Sequence, residues 1–363
     1  MRVLFDAFWW ERGPVSNRHL MISMITEWAE LYPQDEIVVA LREKDRDRAE
    51  GLPARARVVT SRLSPQGVSA MLELPILARK VKADVIFAHN FTPLWHPSVV
   101  FLHDVLFITN PEWFTRKERL YFALMPLSAR RARAIVTSSR SEAARIDGAI
   151  AARTPTTAVG LGLGDRLEVA ESRPAVLADV DRFLLTVGRL NVRKNLAFTC
   201  QAAVRSGAVS PEFPLVIAGS VHGRTEDWPE EVRDAIDSGS IVVTGYVSDP
   251  ELAWLYSHCR AFLFLSRGEG FGLPPLEAMR AGAEVIASDI PVMREILGPY
   301  ASFVDTADSR ELETQIRRVA AASRTDHLST EAREWASSFS WERTIDGIRS
   351  VAASAAAPER TLT

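Results

Sequence analysis

The fold is decided by one stretch of the chain, Ser266-Arg267-Gly268-Glu269-Gly270-Phe271-Gly272-Leu273-Pro274-Pro275-Leu276-Glu277-Ala278-Met279. A short apolar run at residues 261–265 precedes it and predicts a buried strand. Pro274 and Pro275 fit the first turn of a following helix, where their missing N–H groups would have no partner in any case. A helix N-terminus presents free N–H groups and the positive end of the helix dipole, so this turn suits an anionic ligand.

Two carboxylates bracket the same turn. Glu269 lies in the loop, and Glu277 lies about one turn into the helix. Carboxylates accept hydrogen bonds from hydroxyl groups, so the turn combines hydroxyl acceptors with an anion site. This combination suits a sugar nucleotide. The simpler interpretation is that Glu277 only complements the helix dipole and that Glu269 is a solvated loop charge.

The spacing of these two carboxylates, with seven residues between them, resembles the E-x7-E signature of retaining GT-B glycosyltransferases. The sequence Glu-Gly-Phe-Gly-Leu-Pro-Pro-Leu-Glu-Ala-Met resembles the corresponding motif in family 4 of these enzymes, and within that family it resembles the mannosyltransferase-like group. The resemblance implies an α/β protein of the GT-B fold, with two doubly wound Rossmann-like domains facing a central cleft. It also implies that the turn contacts a nucleotide-sugar donor, with the hexose at its start and the ribose at its end, through Glu269, Gly270, Phe271, Gly272, Leu273 and Glu277.

The bulk composition indicates a soluble globular protein with two domains. The chain has 363 residues, of which 47% are hydrophobic and 25% are charged. A formal net charge of −3 excludes a general affinity for nucleic acid. Cys200 and Cys259 lie in apolar patterns, which predicts reduced core thiols and a cytosolic setting. No signal peptide is expected before the first strand, and no apolar run approaches the roughly 18 to 20 residues that span a bilayer. We therefore expect a cytoplasmic protein, with peripheral contact at the inner face of a membrane left open.

Short apolar runs alternate with longer amphipathic stretches, which predicts parallel sheets covered by helices. Strands are predicted at residues 2–5, 36–40, 57–60, 85–88, 98–102, 134–138, 183–187, 215–218, 241–244, 261–265 and 284–287, and helices at 18–31, 75–80 and 117–131. The segment 160–176 breaks the pattern, so the acceptor-side domain is placed at 1–165 and the nucleotide-sugar-binding domain at 166–340. By the resemblance, residues 341–363 form a helix that returns to the first domain, with a tail that frays from about Ala353.

A cationic string, Gly188-Arg189-Leu190-Asn191-Val192-Arg193-Lys194-Asn195, follows the first strand of the second domain. A guanidinium binds two phosphate oxygens at once and an ammonium acts as a point charge, so the string suits a diphosphate. It resembles the family motif Gly-Arg-x4-Lys-Asn, which implies Gly188, Arg189 and Lys194 as diphosphate ligands. No metal-ligand cluster occurs in the sequence, so no metal or other cofactor is expected and the cations would stabilise the leaving group themselves. A basic loop that caps a helix is the alternative.

The segment Gly245-Tyr246-Val247-Ser248-Asp249-Pro250 resembles the family segment that meets the nucleobase. Tyr246 and Val247 are therefore predicted in the base pocket. Ser248 or Asp249 is predicted as a helix N-cap, with Pro250 in the first turn.

On the acceptor side, Phe101-Leu102-His103-Asp104 resembles the family's His-Asp segment, which implies that His103 contacts the donor hexose or handles a proton. A satisfied structural histidine is the alternative. Trp9 and Trp10 follow the first strand and would stack on an acceptor sugar, although core packing fits them equally well. Gly13 stands where the family has a Gly-rich loop near the donor phosphate, but a single glycine followed by proline departs from the double-glycine form.

Two further segments carry weaker signals. Ser139 lies in a Thr-x-Ser segment similar to the family's, where an N-cap is the first interpretation and an acceptor contact the second. Residues 107–127 mix aromatic side chains with Arg116, Lys117 and Arg119. That mixture fits either an ordinary helix with one solvated face or a contact with an anionic membrane surface.

The resemblance indicates a retaining, metal-independent glycosyltransferase that moves a hexose from a nucleoside-diphosphate sugar to a glycan or lipid-linked acceptor, in surface polysaccharide biosynthesis. GDP-mannose is favoured as the donor, and UDP-hexoses and dTDP-rhamnose stay open. The acceptor hydroxyl is expected to attack from the face that the phosphate leaves, with a covalent route as the alternative. Other possibilities are an epimerase or a phosphorylase on the same fold, or a non-catalytic nucleotide-sugar-binding subunit. An oxidoreductase is not indicated, because no G-x-G-x-x-G follows the first strand.

Overall fold

Two compact units divide the chain. The computed structural model describes residues 1–152, 154–188, 191–219, 227–322 and 330–357. Unit 1 comprises Met1–Thr109, Arg116–Gly162 and Ser340–Thr363, and unit 2 comprises Asn110–Thr115 and Leu163–Phe339. Each unit has its own parallel sheet, so the predicted α/β class with two Rossmann-like domains is confirmed.

The sheet of unit 1 is built from β1 (Arg2–Asp6), β2 (Glu36–Arg42), β3 (Arg57–Ser61), β4 (Val85–His89), β5 (Ser98–Phe101), β6 (Ala134–Thr137) and β7 (Thr157–Ala158). These strands lie in the order β3-β2-β1-β4-β5-β6-β7. Successive strands are therefore added on one side of β1, as β2 and β3, and then on its other side, from β4 to β7. The loops that follow β1 and β4 therefore diverge and leave a crevice at the carboxyl ends of the strands, which is where open α/β sheets bind ligands.

The sheet of unit 2 repeats this arrangement. Its strands are β8 (Leu184–Val187), β9 (Leu215–Ala218), β10 (Ile241–Gly245), β11 (Ala261–Phe264), β12 (Val285–Ser288) and β13 (Ser302–Val304). They lie in the order β10-β9-β8-β11-β12-β13, so the switch point falls between β8 and β11. All the predicted strands are present, and the two short strands β7 and β13 are additions.

The helices are, in chain order, α1 (Val15–Leu31), α2 (Gln66–Val68), α3 (Leu74–Val81), α4 (Leu106–Thr109), α5 (Arg116–Phe122), α6 (Met125–Ala129), α7 (Arg140–Ala149), α8 (Leu196–Arg205), α9 (Glu230–Asp237), α10 (Asp249–His258), α11 (Leu273–Ala281), α12 (Pro291–Leu297), α13 (Ser309–Ala321), α14 (Thr330–Ser337) and α15 (Trp341–Ala356). A π-helical turn spans Ser69–Glu73. Short 3₁₀ turns occur at Glu43–Arg48, Pro111–Trp113, Asp165–Leu167, Ala175–Leu177, Val192–Lys194 and Gly298–Tyr300.

Two helix predictions need correction. The single helix predicted at 117–131 is two helices, α5 and α6, because Pro126 lies in the first turn of α6 and cannot continue a helix from the preceding residues. The tail predicted to fray from Ala353 is helical as far as Ala356, and residues 358–363 lie outside the described part of the chain.

The last helix, α15, packs within unit 1 against α1, β4 and β5. Its apolar face buries Ile345 and Ile348, and its polar edge places Arg349 Nε 2.8 Å from Asp35 Oδ2 beside α1. A charge-assisted hydrogen bond of this kind fixes the helix on the sheet that it covers.

The core of unit 2 is formed by apolar residues of its strands and covering helices, including Leu184, Leu263 and Ile286. Cys200 and Cys259 are both buried, as predicted, and no disulfide joins them to another cysteine in the described part of the chain. Burial raises the pKa of the Cys200 thiol to about 12, so Cys200 is a packing residue and not a nucleophile.

Candidate functional site

Two loops meet at the switch point of unit 2. We call residues 188–195, which follow β8, the cationic loop, and residues 266–277, which follow β11, the acidic turn. The Arg267 amide donates to the Arg193 carbonyl at 2.9 Å, and Arg193 Nη1 donates to the Gly268 carbonyl at 3.1 Å. Arg267 Nε also donates to Asn195 Oδ1 at 3.1 Å. The loops are therefore joined by backbone and side-chain hydrogen bonds. Arg189 and Leu190 lie outside the described residues, so the predicted phosphate contact of Arg189 stays a prediction.

Glu269 is the centre of this junction. Its side chain is buried, and Lys194 Nζ lies 2.8 Å from its Oε1 while Arg193 pairs with its Oε2. Burial alone would raise the pKa of Glu269, but the charges of Arg193 and Lys194 and the hydrogen bond from Lys194 outweigh it and hold the pKa at about 2. Lys194 Nζ also lies 4.3 Å from the centroid of the Phe264 ring, an attractive geometry for an ammonium. The sequence-predicted pair of Glu269 and Lys194 is thus brought together as one charged cluster.

Close backbone packing positions the cationic loop. The Gly188 amide donates to the Ala218 carbonyl at 3.0 Å, and the Gly219 amide donates to the Gly245 carbonyl at 2.8 Å. A Cβ atom on Gly219 would lie 1.8 Å from the Gly188 carbonyl oxygen. Only glycine fits there, because the ends of β8, β9 and β10 approach one another without room for a side chain.

Glu277 is oriented by two residues that nothing in the sequence marks as functional. Arg166, in the 3₁₀ turn Asp165–Leu167, places Nη2 3.2 Å from Glu277 Oε1 and also pairs with Asp249. Tyr256 on α10 donates its hydroxyl to Glu277 Oε2 at 3.1 Å. Burial, and then the neighbouring Glu277 charge, raise the pKa of Tyr256 well above its ordinary value, so the hydroxyl stays a donor. Each oxygen of Glu277 keeps a second lone pair that can accept from a ligand hydroxyl.

The start of α11 has the geometry that its prolines predict. Gly272 is the N-cap residue at φ 117°, and a Cβ atom there would lie 2.5 Å from Met293 Cε. Phe271 is buried, with its ring centroid 6.0 Å from that of Phe339. Gly270 and Leu273 are half-buried. The predicted donor contacts of these four residues are therefore backbone contacts at a helix N-terminus, and they stay predictions.

The predicted base segment lies before α10. Tyr246 is 78% exposed and Val247 is half-buried. Glu251 Oε2 accepts from the amide of Ser248 at 2.8 Å and from its hydroxyl at 2.7 Å, so the N-cap prediction for Ser248 is confirmed. A base contact from Tyr246 or Val247 stays a prediction.

In unit 1, His103 follows β5 and is stacked on His89 with the ring centroids 5.8 Å apart. Burial lowers the pKa of His103 to about 4, so its imidazole is neutral at physiological pH. Ser139 is the N-cap of α7, as predicted, because its hydroxyl accepts from the Glu142 amide at 3.0 Å. An acceptor contact from Ser139, whose side chain is buried, stays a prediction.

The tryptophan pair after β1 divides into two environments. Trp10 is 1% exposed and donates from Nε1 to the Glu50 carbonyl at 2.9 Å, so in this structure it is the core residue that the sequence also allows. Trp9 is half-buried, with the Arg42 guanidinium 5.5 Å from its ring centroid. A Cβ atom on Gly13 would lie 2.5 Å from Trp9 Cε3, so the Gly13 backbone covers part of the same ring. Sugar stacking by Trp9 and a phosphate contact by Gly13 stay predictions.

Comparison with known proteins finds similarities for the part of the chain that carries the charged cluster. Residues 170–335 match the family described as glycosyl transferases group 1. Over 179 residues the chain is 32% identical to the serotype-specific mannosyltransferase WbdA of Escherichia coli, covering 46% of this chain and 22% of WbdA. The chain thus spans about a fifth of the length of that relative. It is 27% identical over 268 residues to the O-antigen chain mannosyltransferase RfbU of Salmonella typhimurium, covering 72% of each.

Solved structures with the same fold superpose on almost the whole length of the chain. Anabaena Alr3699/HepE, solved in complex with UDP-glucose, superposes with a TM-score of 0.70 at 19% identity, over 98% of this chain and 100% of the other. Sucrose-phosphate synthase from Thermosynechococcus elongatus superposes with a TM-score of 0.69 at 16% identity, over 98% of both chains. The fold is GT-B. The matched domain and the mannosyltransferase relatives support the predicted resemblance to the family 4-like GT-B glycosyltransferases.

Proposed function

We propose that the chain is a retaining, metal-independent hexosyltransferase that takes mannose from GDP-mannose and transfers it to a glycan or lipid-linked saccharide in surface polysaccharide biosynthesis. The observation that carries the proposal is the cluster of Glu269, Arg193 and Lys194 at the switch point of unit 2, next to the N-terminus of α11. The relatives named as mannosyltransferases, WbdA and RfbU, support mannose as the transferred sugar and the O-antigen type of product.

The donor diphosphate is assigned to the cationic loop and the start of α11. Lys194 supplies a partly buried ammonium, and the start of α11 supplies a positive dipole end and the backbone N–H groups of Gly272 and Leu273, which precede the two prolines. Glu269 stays ionised and is assigned to hydroxyls of the hexose. We assign the ribose hydroxyls to the open lone pairs of Glu277, which Arg166 and Tyr256 hold in place.

In the proposed reaction the acceptor oxygen bonds to the anomeric carbon as the bond from that carbon to the diphosphate oxygen breaks. The departing diphosphate takes the proton of the acceptor hydroxyl, and Lys194 stabilises the charge that develops on it. Attack and departure on the same face give retention. Arg189 and His103 complete the predicted catalytic set, with Arg189 on the diphosphate and His103 as a neutral imidazole able to hydrogen-bond the hexose.

A second candidate function is the same glycosyl transfer with a different nucleotide-sugar donor. The structural likeness to a protein solved with UDP-glucose favours a UDP-sugar, and a dTDP-sugar such as dTDP-rhamnose fits the same phosphate groups. A non-catalytic nucleotide-sugar-binding subunit is the further alternative, and it would bind the nucleotide without transferring the sugar.

The proposed acceptor includes lipid-linked saccharides, and one segment of unit 1 has side chains that suit a membrane contact. Leu120, Leu124 and Leu127 are 78%, 49% and 58% exposed, and the exposed cations Arg116 and Lys117 belong to the same segment of the sequence. Apolar side chains next to cations fit an anionic membrane surface. No helix in the described part of the chain is long and apolar enough to cross a bilayer. Sedimentation with anionic vesicles tests the contact, and equal pelleting with neutral vesicles would contradict it.

The transfer itself is tested with the purified full chain and octyl α-mannoside as acceptor. GDP-mannose, UDP-glucose and dTDP-rhamnose are offered in turn, with and without a chelator. We expect an α-linked product from GDP-mannose at a rate that the chelator leaves unchanged. A β-linked product, or activity that disappears with the chelator and returns with Mg²⁺, would contradict the mechanism. Donor binding without transfer to this acceptor or to a panel of saccharide acceptors would favour the non-catalytic alternative.

A further inference from the structure

The chain that follows β5 carries His103 through residues 102–105, which lie outside any helix or strand. We call residues 102–105 the post-β5 segment. Its first residue continues the pairing of β5 with β6, because the Leu102 amide donates to the Val136 carbonyl at 3.0 Å. The buried Thr137 hydroxyl donates to the Leu102 carbonyl at 2.7 Å. The backbone is therefore fixed immediately before His103.

Glu142 on α7 fixes the other end of the segment. Its Oε1 accepts from the Val105 amide at 3.0 Å, and both residues are fully buried. The Glu142 amide in turn donates to the Ser139 hydroxyl at 3.0 Å, so the first turn of α7 holds this side chain in place. A buried amide without a partner is costly, so the position of the Val105 backbone depends on the Glu142 carboxyl group.

The Glu142 carboxyl group acts on the protein and has no access to a ligand. Its side chain is fully buried, and Arg145, one turn further along α7, contacts the second oxygen, Oε2. The Val105 amide occupies Oε1. Glu142 can therefore influence a reaction only through the segment that it holds, which contains His103 and the proposed contact with the hexose.

Two charged groups among the described residues act on this carboxyl group, Asp104 in the post-β5 segment and Arg145. Burial has the largest effect. Together with the Asp104 charge it outweighs Arg145 and the Val105 amide, and raises the pKa of Glu142 to about 8. The neutral form is therefore favoured at pH 7, and its carbonyl oxygen still accepts from the amide. Glutamine has the same shape as this neutral form and keeps the acceptor oxygen.

We propose that Glu142 is a positioning residue, which holds the post-β5 segment through the Val105 amide and thereby sets the place of the His103 imidazole in the reaction. The inference deepens the proposed function and rests on it for the contact of His103 with the hexose. A misplacement of about 1 Å can lower a rate roughly 100-fold, so a residue that never touches the substrate can control turnover in this way.

The first test is steady-state kinetics of the full chain with GDP-mannose and octyl α-mannoside at pH 7. Glu142→Met keeps the length of the side chain and removes both carboxyl oxygens. We expect kcat to fall roughly 10- to 100-fold, while the Kd for GDP, which is assigned to unit 2, stays unchanged. Glu142→Gln should recover most of the lost kcat, because it keeps the acceptor for the amide. Equal losses in the two variants would overturn the proposal.

The matched control is Glu73→Leu. Glu73 also holds a loop of unit 1, since its carboxylate accepts from the amides of Arg62 and Leu63 after β3, at the edge of the same sheet. Its removal should leave kcat unchanged. A loss of kcat as large as that of Glu142→Met would show that any loosened loop has this effect, and would also overturn the proposal.

A double-mutant cycle tests whether Glu142 acts through His103. In a His103→Ala background the group that Glu142 positions is gone, so adding Glu142→Met should lower kcat by no more than about twofold. A purely structural role would give the same loss in both backgrounds. That additive result would contradict the inference, even if Glu142→Met alone lowers kcat as expected.

Hydrogen exchange of the Val105 amide tests the geometry without any substrate. Exchange should be faster in Glu142→Met than in the wild type, and as slow as the wild type in Glu142→Gln and Glu73→Leu. Glu142→Leu is the second variant without an acceptor, should Glu142→Met not fold. Unchanged exchange in the folded variant would overturn the proposal. Absence of transfer from every donor would defeat the proposed function instead, and the exchange of Val105 would still decide whether Glu142 holds the segment.

Discussion

The two switch points of the molecule share a topology and differ in charge. In unit 2, Glu269 lies between two cations, which hold its pKa at about 2 in spite of burial. In unit 1, Asp6 is equally buried, its partners among the described residues include the Phe8 amide and Gln66, and burial raises its pKa to about 6. The same place in a doubly wound sheet thus carries an ion-paired carboxylate in one unit and, in the other, a carboxylate that has no ion pair with any residue the structure describes.

This contrast shows how one sheet topology can present two different kinds of side-chain chemistry. Lysine and arginine beside a helix N-terminus suit a phosphate, and neutral imidazoles beside a carboxylate suit hydroxyls. The topology supplies the crevice in both cases, and the side chains that follow the strands decide the ligand. Four substitutions test this contrast.

The largest effect is expected at Lys194. Lys194→Ala removes the charge that would stabilise the departing diphosphate, so we expect kcat to fall by roughly 10²- to 10³-fold. Steady-state kinetics with saturating GDP-mannose measure it. The matched control is Arg205→Ala, an exposed cation on α8 paired with Glu231, which should leave kcat unchanged. Unchanged kcat in Lys194→Ala would remove the phosphate assignment from the cationic loop.

Asp6→Asn tests the buried carboxylate of unit 1 through the pH dependence of the free energy of unfolding. The pKa of Asp6 is raised from its ordinary 3.8 to about 6, so the folded state binds the proton more tightly than the unfolded state does. Its stabilising contribution is therefore fully present below pH 3.8 and is lost as the pH rises through 6. The loss is on the order of 3 kcal/mol.

Urea unfolding across this pH window measures the free energy of unfolding for both proteins. We expect Asp6→Asn to remove part of the decline with pH that the wild type shows, whatever its absolute stability. Parallel curves for the two proteins would show that Asp6 is not the uncompensated group described here. Glu269 should act in the opposite sense, because its lowered pKa contributes stability that is lost only as the pH falls from 4.5 toward about 2.

Glu277→Ala removes the carboxylate assigned to the ribose. A hydrogen bond to a charged group contributes about 1.5–3 kcal/mol, so the Kd for GDP should rise roughly ten- to hundredfold. Calorimetric titration measures it, with Glu231→Ala on α9 as the control. An unchanged Kd would mean that Arg166 and Tyr256 hold a structural carboxylate and not a binding one.

Tyr256→Phe should have the smallest effect. The substitution removes one hydroxyl donor to Glu277 and leaves the ring in the core, so the carboxylate is less firmly oriented. We expect about a threefold rise in the Kd for GDP, which corresponds to less than about 1 kcal/mol. A tighter Kd would instead indicate that Tyr256 competes with the ribose for Glu277.

The sequence predicts the charged residues that meet at the switch point of unit 2, because the signal of each string is local. The string around Glu269 and Glu277 and the string around Lys194 each combine a strand end, glycines and charges within a few residues. The local conformation of such a string can be predicted from its own residues, because only a few turn geometries connect a strand to the helix that follows it. The strands and the buried cysteines were predicted for the same reason, from apolar runs at strand length.

The partners of these residues could not be predicted, because they come from distant segments. Arg166 lies 111 residues before Glu277, and a single arginine in a polar stretch resembles any solvated charge. Gln66 belongs to a Ser-Pro-Gln-Gly stretch that indicates only a turn, and it lies 60 residues from Asp6. The division of residues 117–131 into two helices depends on Pro126, whose effect a helical pattern of apolar residues conceals.

The central claim is that unit 2 holds an activated sugar chiefly by its diphosphate, and comparing GDP with guanosine in calorimetric titrations of the wild-type chain tests it most directly. The two ligands share base and ribose and differ only in the phosphates. We expect GDP to bind at least roughly tenfold more tightly than guanosine, since only GDP can make charge-assisted hydrogen bonds to Lys194 and contacts with the start of α11. Equal affinity for the two ligands would contradict it.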